Sequence, residues 1–426
     1  MPVAGLRGTG DWGTDERPKN FRESILWMSP NGDSPILALT SKVNSKKATS
    51  DPEFSWWAEP QDLIRLQASA AVGATALDTL ITVDSPDPTA AAIKANWGKA
   101  THLVPGDILM VEPATDTAAD TAERIMVTQV HSDTSFSVQR GVAGTTIAAI
   151  GNDVFLLLIG SAFGEGTPGP KATSRNPLKF SNYTQIFKTA YEITGTANNT
   201  EARTGDPLKN DKKRRSFDHA KKLEWSMMFG VKSEGTDPTN GKPLRFMGGI
   251  RSFIPAANCT ILTTGWGLAT SSGAGNNLMD AISPVFDYTS PGGNTRIGMC
   301  GNGALNAINK AIAKSSGASG VSIFWGQKEK LWGMEFRELV FPQGRVLLKT
   351  HPLMSRHSLY TYSMWLLDFS VITWVPMRGR DTRANDNVQA KDEDLVRGQW
   401  ETEASIMVDY AGQTLGYIGG FNTVPA

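Results

Sequence analysis

The residues best suited to acid–base catalysis or metal binding are scattered along this 426-residue chain. Two cysteines, Cys259 and Cys300, are present, together with five histidines. None of them stands at a C-x-x-C, H-E-x-x-H or H-x-E spacing, the patterns that bring two ligands to one metal ion. We therefore expect no metal, no disulfide framework and no cofactor, with both cysteines acting as small buried residues. The histidines, which we expect to be structural or surface residues, are His102, His131, His219, His351 and His357.

Sequence motifs for nucleophilic or nucleotide chemistry are also absent. No G-x-S-x-G elbow occurs, and no G-x-x-x-x-G-K-[ST] loop occurs. The glycines of Gly298–Gly303 precede a predicted helix and could imitate a phosphate cradle, but a tight turn into that helix explains them more simply. The sequence therefore predicts no catalytic residues and a protein that is not an enzyme.

Charge gives one concentrated signal. Lys plus Arg number 42 and Asp plus Glu number 42, so the formal net charge is +0, unlike that of a dedicated nucleic-acid binder. The basic run Lys209–Arg215 lies on a predicted helix, where Asp211 and Asp218 dilute it. Its face could be solvated, or could meet nucleic acid or an acidic neighbouring molecule, and the sequence leaves these readings open. The four residues of interest are Lys212, Lys213, Arg214 and Arg215.

Neither a membrane span nor a leader sequence is predicted. The most apolar run, Val154–Ile159, is far shorter than the roughly 20 residues that a spanning helix needs. The first residues lack the basic flank and apolar core of a signal peptide. We expect synthesis and assembly in a cytoplasm and no membrane partner.

Residues 1–60 form an arm without a core of its own. Gly, Pro, Asp and Asn punctuate this segment, leaving two short apolar runs, Ile25–Met28 and Ile36–Leu39. It nevertheless carries Trp12, Trp27, Trp56 and Trp57. A segment with large aromatics and no core is often ordered by docking elsewhere. Docking on its own molecule and docking on a neighbour are equally compatible with the sequence.

Residues from about 72 to 160 have the sequence pattern of a small β domain. Short β-rich runs alternate with turn signals such as Pro105-Gly106, which is typical of a barrel or sandwich. We interpret this region as an inserted β module. Its predicted strands are Leu77–Val83, Asp107–Val111, Arg124–Val130, Ser135–Gln139 and Val154–Ile159.

A long helix follows the β module. Asn182–Gly195 is predicted as one extended strand that pairs back toward the arm. Asp206 can then cap a helix that has Pro207 at its first position, runs without a breaker, and closes at Gly230 as a C′ residue. The 23 residues between would span about 34 Å.

The rest of the chain mixes helices and strands, so the predicted fold class is α+β. Residues from Trp400 to Tyr410 alternate with a period of two, which indicates a strand. The predicted helices are Asn276–Tyr288, which Pro284 could kink or end, and Asn302–Lys314. The other predicted strands are Glu335–Phe341, Arg345–Thr350, Ser363–Trp374 and Thr414–Ile418, and the charged stretch Asp381–Arg397 is predicted as a surface loop.

The order of these parts resembles the major capsid proteins of tailed bacteriophages, with the Hong Kong 97-like fold. It is most similar to the subgroup with a barrel-like domain inserted into the extended loop. The similarity covers nearly the whole chain. The segments that carry it are Asp51–Pro60, Arg140–Thr146, Asn182–Phe187, Leu223–Gly230 and Gly248–Ile250.

This resemblance implies a division of the chain into lobes. The long helix would be the spine of a peripheral lobe, and a second, axial lobe would surround the centres of hexamers and pentamers. The implied segments are an arm at 1–60, an extended loop at 61–205 with the insert at about 72–160, the spine helix and start of the peripheral lobe at 206–249, the axial lobe at 250–350, and peripheral return strands at 351–426.

The resemblance also implies a function. The chain would self-assemble into hexamers and pentamers of an icosahedral or prolate shell that encloses the double-stranded DNA of a tailed phage. Its partners would be further copies of itself, a portal, a separate scaffolding protein and a decoration protein, with DNA held by non-specific proximity. The alternatives are another virion component, of the tail or of the decoration, and an enzyme. The long breaker-free helix beside a long arm favours the shell.

Aromatic and apolar residues of the arm and extended loop are the expected contacts between subunits, because such residues dominate interface energetics. The four basic helix residues, Lys212, Lys213, Arg214 and Arg215, would face the lumen or a neighbouring subunit. The expected contact residues are Trp27, Phe54, Trp56, Trp57, Tyr183, Ile186 and Phe187.

Overall fold

The computed structural model shows a mixed α+β fold, as the sequence predicts. In the part of the chain that the structure describes, the strands form five separate sheets, and the buried apolar residues form three large clusters. The residues that the structure describes are 35–43, 47–59, 64–77, 79–84, 99–113, 115, 118, 120–172, 177–200, 205–267, 277–315, 325–331 and 334–423.

The described chain begins with helix α1 (Pro35–Val43) and strand β1 (Glu53–Ala58), followed by the β module. The module has its own apolar core, which includes Leu66, Leu109, Phe136 and Leu156. The first predicted strand, Leu77–Val83, is shorter in the structure, where only Leu80–Thr82 form a strand. The strands are β2 (Arg65–Gln67), β3 (Leu80–Thr82), β4 (Asp107–Val111), β5 (Arg124–Ser132), β6 (Ser135–Gln139) and β7 (Phe155–Ser161).

These six strands form one antiparallel sheet in the order β2-β7-β4-β5-β6-β3. The two end strands, β3 and β2, do not pair with each other. Residues just beyond these two strands meet at an isolated bridge between Ala68 and Val83. There Ser69 N donates to Thr82 O at 3.0 Å, and Asp84 N donates to Gln67 O at 2.9 Å.

The chain returns from the module as strands β8 (Leu178–Tyr183) and β9 (Gln185–Thr194), not as one strand. Of the predicted strand, only Asn182 and Tyr183 pair with β1 of the arm, as part of β8. The predicted pairing toward the arm is wrong for the remaining residues, because β9 pairs with β20. Close to the break, the side-chain amide of Asn182 donates to Gly248 O at 3.0 Å and to Ile406 O at 2.8 Å. Its buried side chain therefore ties the ribbon β1–β8 to the body of the protein.

The short helix α2 (Gly195–Asn199) precedes the long helix α3 (Pro207–Phe229), whose predicted limits are confirmed. The Asp206 side chain accepts the N–H groups of Leu208 and Lys209, as expected of an N-cap. Gly230 is needed for a different reason than predicted. Its φ of −54° is not left-handed, and glycine is required because a Cβ would overlap the Met247 carbonyl oxygen.

After α3 an exposed hairpin forms, and then a seven-stranded sheet begins. The hairpin consists of β10 (Ser233–Thr236) and β11 (Pro243–Phe246). The elements that follow are α4 (Ile250–Phe253), β12 (Cys259–Ile261), α5 (Leu278–Ile282), β13 (Thr295–Cys300), α6 (Asn302–Ser315), β14 (Trp325–Leu331), β15 (Met334–Phe341), β16 (Gly344–Thr350), α7 (Pro352–Arg356), β17 (Met364–Leu367), β18 (Ile372–Pro376), β19 (Arg383–Asn385), β20 (Leu395–Val408) and β21 (Gly416–Gly419).

The large sheet has the order β12-β21-β17-β13-β16-β15-β14, with β12–β21 and β13–β16 parallel. One face packs with α5 and α6, and the other contributes to the main core with α1 and α3. A four-stranded sheet, in which β20 pairs with β9, β18 and β19, completes that main core. Helix α3 lies against β9 and β20.

Two predicted elements divide at turns. The predicted strand Ser363–Trp374 becomes β17 and β18, in different sheets, because the Asp368 side chain accepts the Ser370 N–H and turns the chain. The predicted helix from Asn276 ends at Ile282 and continues to Phe286 as a 3-10 turn that contains Pro284. Helix Asn302–Lys314 is confirmed and extends by one residue.

Candidate functional site

The side chains that could take part in acid–base or metal chemistry have structural roles. Among the described residues, no group of three His, Cys, Asp or Glu side chains could hold a metal ion. In the same part of the chain, no helix is long and apolar enough to cross a membrane. His219 is buried between Thr189 Oγ1 at 3.1 Å and Thr402 Oγ1 at 2.8 Å, and burial lowers the pKa of its imidazole.

The space beside Gly301 and Gly303, at the start of α6, is occupied by other residues of the protein. Gly303 N donates to Thr361 Oγ1 at 3.2 Å, and a Cβ on Gly301 would overlap the Thr361 backbone. Gly301 N also donates to Ser363 O at 3.1 Å. This geometry matches a tight turn into the helix, the interpretation that the sequence favours over a phosphate cradle.

A buried carboxylate holds the arm helix to α3, in an arrangement that we call the arm clamp: Glu224, His351 and the N–H groups of Ile36 and Leu37. The Glu224 carboxylate accepts both N–H groups at 2.9 Å. His351 Nε2 also lies 2.9 Å from Glu224, while His351 Nδ1 accepts the Met354 N–H at 3.3 Å. Because Nδ1 is an acceptor, the hydrogen on Nε2 faces the carboxylate. The clamp therefore joins α1, α3 and α7 at a fully buried point.

The following arm residues also dock on their own subunit. Lys47 N donates to Trp374 O and Thr49 N to Pro376 O, so this stretch lies along the edge of β18. Further on, Trp56 is 6% exposed and its Nε1–H donates to Val408 O at 2.9 Å. Its ring packs with Phe54, Phe180 and Phe253. These described arm residues therefore contact their own subunit.

The predicted contact residues separate into three groups. Trp57 is 62% exposed and Ile186 is 51% exposed, so both are available to a neighbour. Phe54 and Tyr183 are half-buried, and the Lys232 ammonium lies 4.6 Å from the Tyr183 ring centre. Trp56 and Phe187 are buried in this subunit's own core, which leaves no surface for a neighbour in this conformation. Trp27 lies outside the described residues.

The predicted basic face lies on the outer side of α3 and has acidic partners in its own chain. Lys212 Nζ lies 2.8 Å from Asp386 Oδ2, and Tyr191 also donates to that carboxylate. Hydrogen bonds from Lys212, then from Tyr191, hold the pKa of Asp386 below its usual range. Arg214 and Arg215 lie 4.0 and 3.6 Å from aspartates on the same helix, Asp211 and Asp218, and Lys213 is exposed. The face is thus partly neutralised rather than strongly cationic.

The β module has a buried ion pair that the sequence did not reveal. Arg140 Nε lies 2.7 Å from Glu123 Oε1, and both side chains are fully buried. Burial opposes ionisation of Glu123, but hydrogen bonds from Arg140 and from the N–H groups of Ala148 and Gly141 prevail, so its pKa is lowered. The pair holds the loop between β6 and β7 against the start of β5.

The arm clamp was also missed by sequence reasoning. A usable signal existed, since Glu224 interrupts the apolar end of α3 between Leu223 and Trp225, where a charge must be paired if it is buried. Its partners Ile36 and His351 are 188 and 127 residues away along the chain, so the sequence pattern could not identify them.

Comparisons with known proteins give a consistent assignment. The sequence model of the SU10 major capsid protein family matches residues 6–420. The major capsid protein of Pseudomonas phage PaMx41 is 28% identical over 382 residues, which cover 86% of this chain and 81% of that protein.

Solved structures with similar shapes include the capsid of the native GTA particle, with a TM-score of 0.44, 11% identity, and coverage of 97% of this chain and 98% of that one. Another is that of Mycobacterium phage Bobi, with a TM-score of 0.41, 9% identity and 96% coverage of both chains. On the sequence match over residues 6–420, the chain belongs to the SU10 major capsid protein family, and it is a phage major capsid protein.

Proposed function

We propose that this capsid protein forms hexamers and pentamers of an icosahedral or prolate shell around the double-stranded DNA of a tailed phage. The observation that carries this proposal is the ribbon β1–β8. One side of it docks through Trp56 and Asn182, while Trp57 is 62% exposed. A large exposed aromatic on a two-stranded ribbon is suited to packing on another subunit.

A Hong Kong 97-like arrangement fits the order of elements. In this proposal α3 is the spine of the peripheral lobe, and it packs on β9 and β20. Residues 250–350 supply most of the axial lobe. β17 and β21, which belong to the return segment 351–426, pair within the same seven-stranded sheet. We therefore extend the proposed axial lobe to include these two strands.

The β module is proposed to be a small barrel inserted into the extended loop. Supporting this, the two end strands of its sheet approach each other at the Ala68–Val83 bridge, with the flanking hydrogen bonds from Ser69 and Asp84. The apolar side chains of all six strands also share one cluster. The insert leaves the ribbon after β1 and returns to it before β8.

Contacts between subunits are proposed at Trp57 and Ile186, with the half-buried Phe54 and Tyr183 at their margin. An interface of standard size buries about 1,600 Å², and repetition over a closed shell makes the loss of one subunit slow. We propose no catalytic role, since a shell subunit acts through such contacts.

The further partners proposed are a portal, a separate scaffolding protein and a decoration protein, with assembly in the cytoplasm of a bacterial host. The face formed by Lys212, Lys213, Arg214 and Arg215 is proposed to meet the lumen or a neighbouring subunit. Its partial neutralisation supports loose contact with DNA rather than tight binding.

Assembly of purified protein, with and without scaffolding protein, tests the proposal by negative-stain electron microscopy. We expect closed shells or capsomers from the native chain and poor assembly from Trp57→Ser. Leu77→Ser, at an apolar residue that is 90% exposed in the β module, is the matched control and should assemble normally. A native chain that stays monomeric at every concentration and salt would overturn the proposal.

A further inference from the structure

The hairpin β10–β11 has two chemically different faces. Residues two apart on a strand share a face, and Glu234 pairs directly with Arg245 across the hairpin, at 2.9 Å. Lys232 continues this face, and its Nζ lies 2.6 Å from Ser181 Oγ and 3.5 Å from Glu53. The polar face therefore rests on the ribbon β1–β8.

The opposite face of the hairpin is apolar. Leu244 and Phe246, two apart on β11, are 42% and 41% exposed, and Phe246 lies opposite Ser233. Val231 precedes Ser233 by two residues and is 71% exposed. A two-stranded hairpin is marginally stable in water by itself, and exposed apolar side chains in a row add to that cost. The described residues leave this face, formed by Val231, Leu244 and Phe246, without cover.

The arm enters the described structure close to this hairpin. The arm clamp places the first turn of α1 at Glu224, and α3 rises only about 8 Å from Glu224 to its end at Phe229. β10 starts a few residues later. A chain of seven residues reaches up to about 25 Å when extended, so residue 28 can lie anywhere within that distance of Pro35.

The sequence before Pro35 contains one concentrated apolar run, Ile25-Leu26-Trp27-Met28. We propose that this run packs on the apolar face of the hairpin in its own chain, with Trp27 against Leu244 and Phe246. A tryptophan buries roughly 150–250 Å² of surface, enough to cover two half-exposed neighbours. The short connection to the arm clamp raises the local concentration of the run, which favours the same chain over another copy. Trp27, expected from sequence to contact a neighbouring subunit, is thereby assigned to a nearer surface.

A disulfide trap on the full-length, unassembled subunit tests the geometry. Trp27→Cys and Phe246→Cys are combined in a Cys259→Ser background, since Cys300 is fully buried. After mild oxidation, peptide mass spectrometry should find the 27–246 bond within one chain. The control combines Trp27→Cys with Val388→Cys, at an exposed apolar residue elsewhere, and should crosslink at least about tenfold more slowly. Bonds that join two chains, or a rate equal to that of the control, would overturn the proposal.

Trypsin cleavage after Arg22 gives a second readout that needs no engineered cysteine. Cleavage tracks the fraction of arms that are undocked, so Phe246→Ser and Trp27→Ser should each accelerate it about tenfold. The double variant should be no faster than either single variant, because both remove the same contact. Val388→Ser should leave the rate unchanged, and circular dichroism should show that every variant is folded. Additive effects, or no effect of Phe246→Ser, would contradict the docking.

Discussion

The arm and the β module both extend from the same body, but they bury their apolar side chains in different places. The module has its own cluster of buried side chains, including Leu109, Phe136 and Leu156. The described arm residues have no such cluster, and their apolar side chains, Ile36, Leu39 and Trp56, are buried in the body. The comparison indicates that the module can keep its structure when the body is perturbed, whereas the arm depends on a few anchor points in the body.

The largest expected effect is on the module alone. Phe136→Ala removes a fully buried ring from the module core and should cost about 3–5 kcal/mol of module stability. Hydrogen exchange should show that β5 and β6 lose protection while β20 keeps it. Leu77→Ala, at a residue 90% exposed in the same module, should change neither. Equal loss of protection in β20 would mean that module and body unfold together.

The second effect is on the arm alone. Glu224→Gln keeps the size of the side chain but leaves one oxygen to serve two backbone N–H groups and His351, so arm docking should weaken by about 1.5–3 kcal/mol. The amides of α1 should then exchange faster while those of β5 do not. Glu192→Gln, at an exposed glutamate 3.4 Å from Arg397, is the matched control and should leave α1 unchanged.

A smaller difference in subunit stability is expected between substitutions of two adjacent tryptophans, Trp56 and Trp57. Trp56→Phe leaves the buried Val408 carbonyl without the indole N–H and should cost about 1–3 kcal/mol, measured by chemical unfolding of the subunit. Trp57→Phe changes an exposed ring and should leave that stability within about 0.5 kcal/mol. Equal losses for the two variants would show that Trp56 is not the anchor.

The smallest expected effect is on stability in acid, which should fall in the β module and rise in the body. The pKa of Glu123 is lowered from its ordinary value of 4.5, so its contribution to module stability is present above that value and is lost as the pH falls. Burial raises the pKa of Asp409, although nearby Lys47 of the arm opposes this. Protonation of Asp409 in acid therefore favours the folded state at the body. Hydrogen exchange as the pH falls below about 4.5 should show β5 losing protection before β20, and the reverse order would contradict these signs.

Local signals explain what the sequence could predict. Asp206 and Pro207 define the start of α3, and the lack of breakers defines its length, because helix caps involve residues close in sequence. The strands of the module were predicted for the same reason, since their alternation and turn residues are local.

The rest depended on distant partners. Trp56 donates to a carbonyl 352 residues away, and Asn182, near the end of β8, donates to the carbonyl of Ile406, 224 residues away. No pattern within a single segment encodes such pairs. Composition could show that the arm must dock, but it could not choose between its own subunit and a neighbour, because both offer the same apolar chemistry.

High-resolution electron microscopy of the assembled particle tests the central claim most directly, because it shows the shell and the path of each arm together. We predict a closed shell of hexamers and pentamers in which every α1 is bound by the Glu224 of its own chain, with Trp57 against a neighbouring subunit. A particle in which α1 is bound by the Glu224 of a neighbouring chain would contradict the account of the arm.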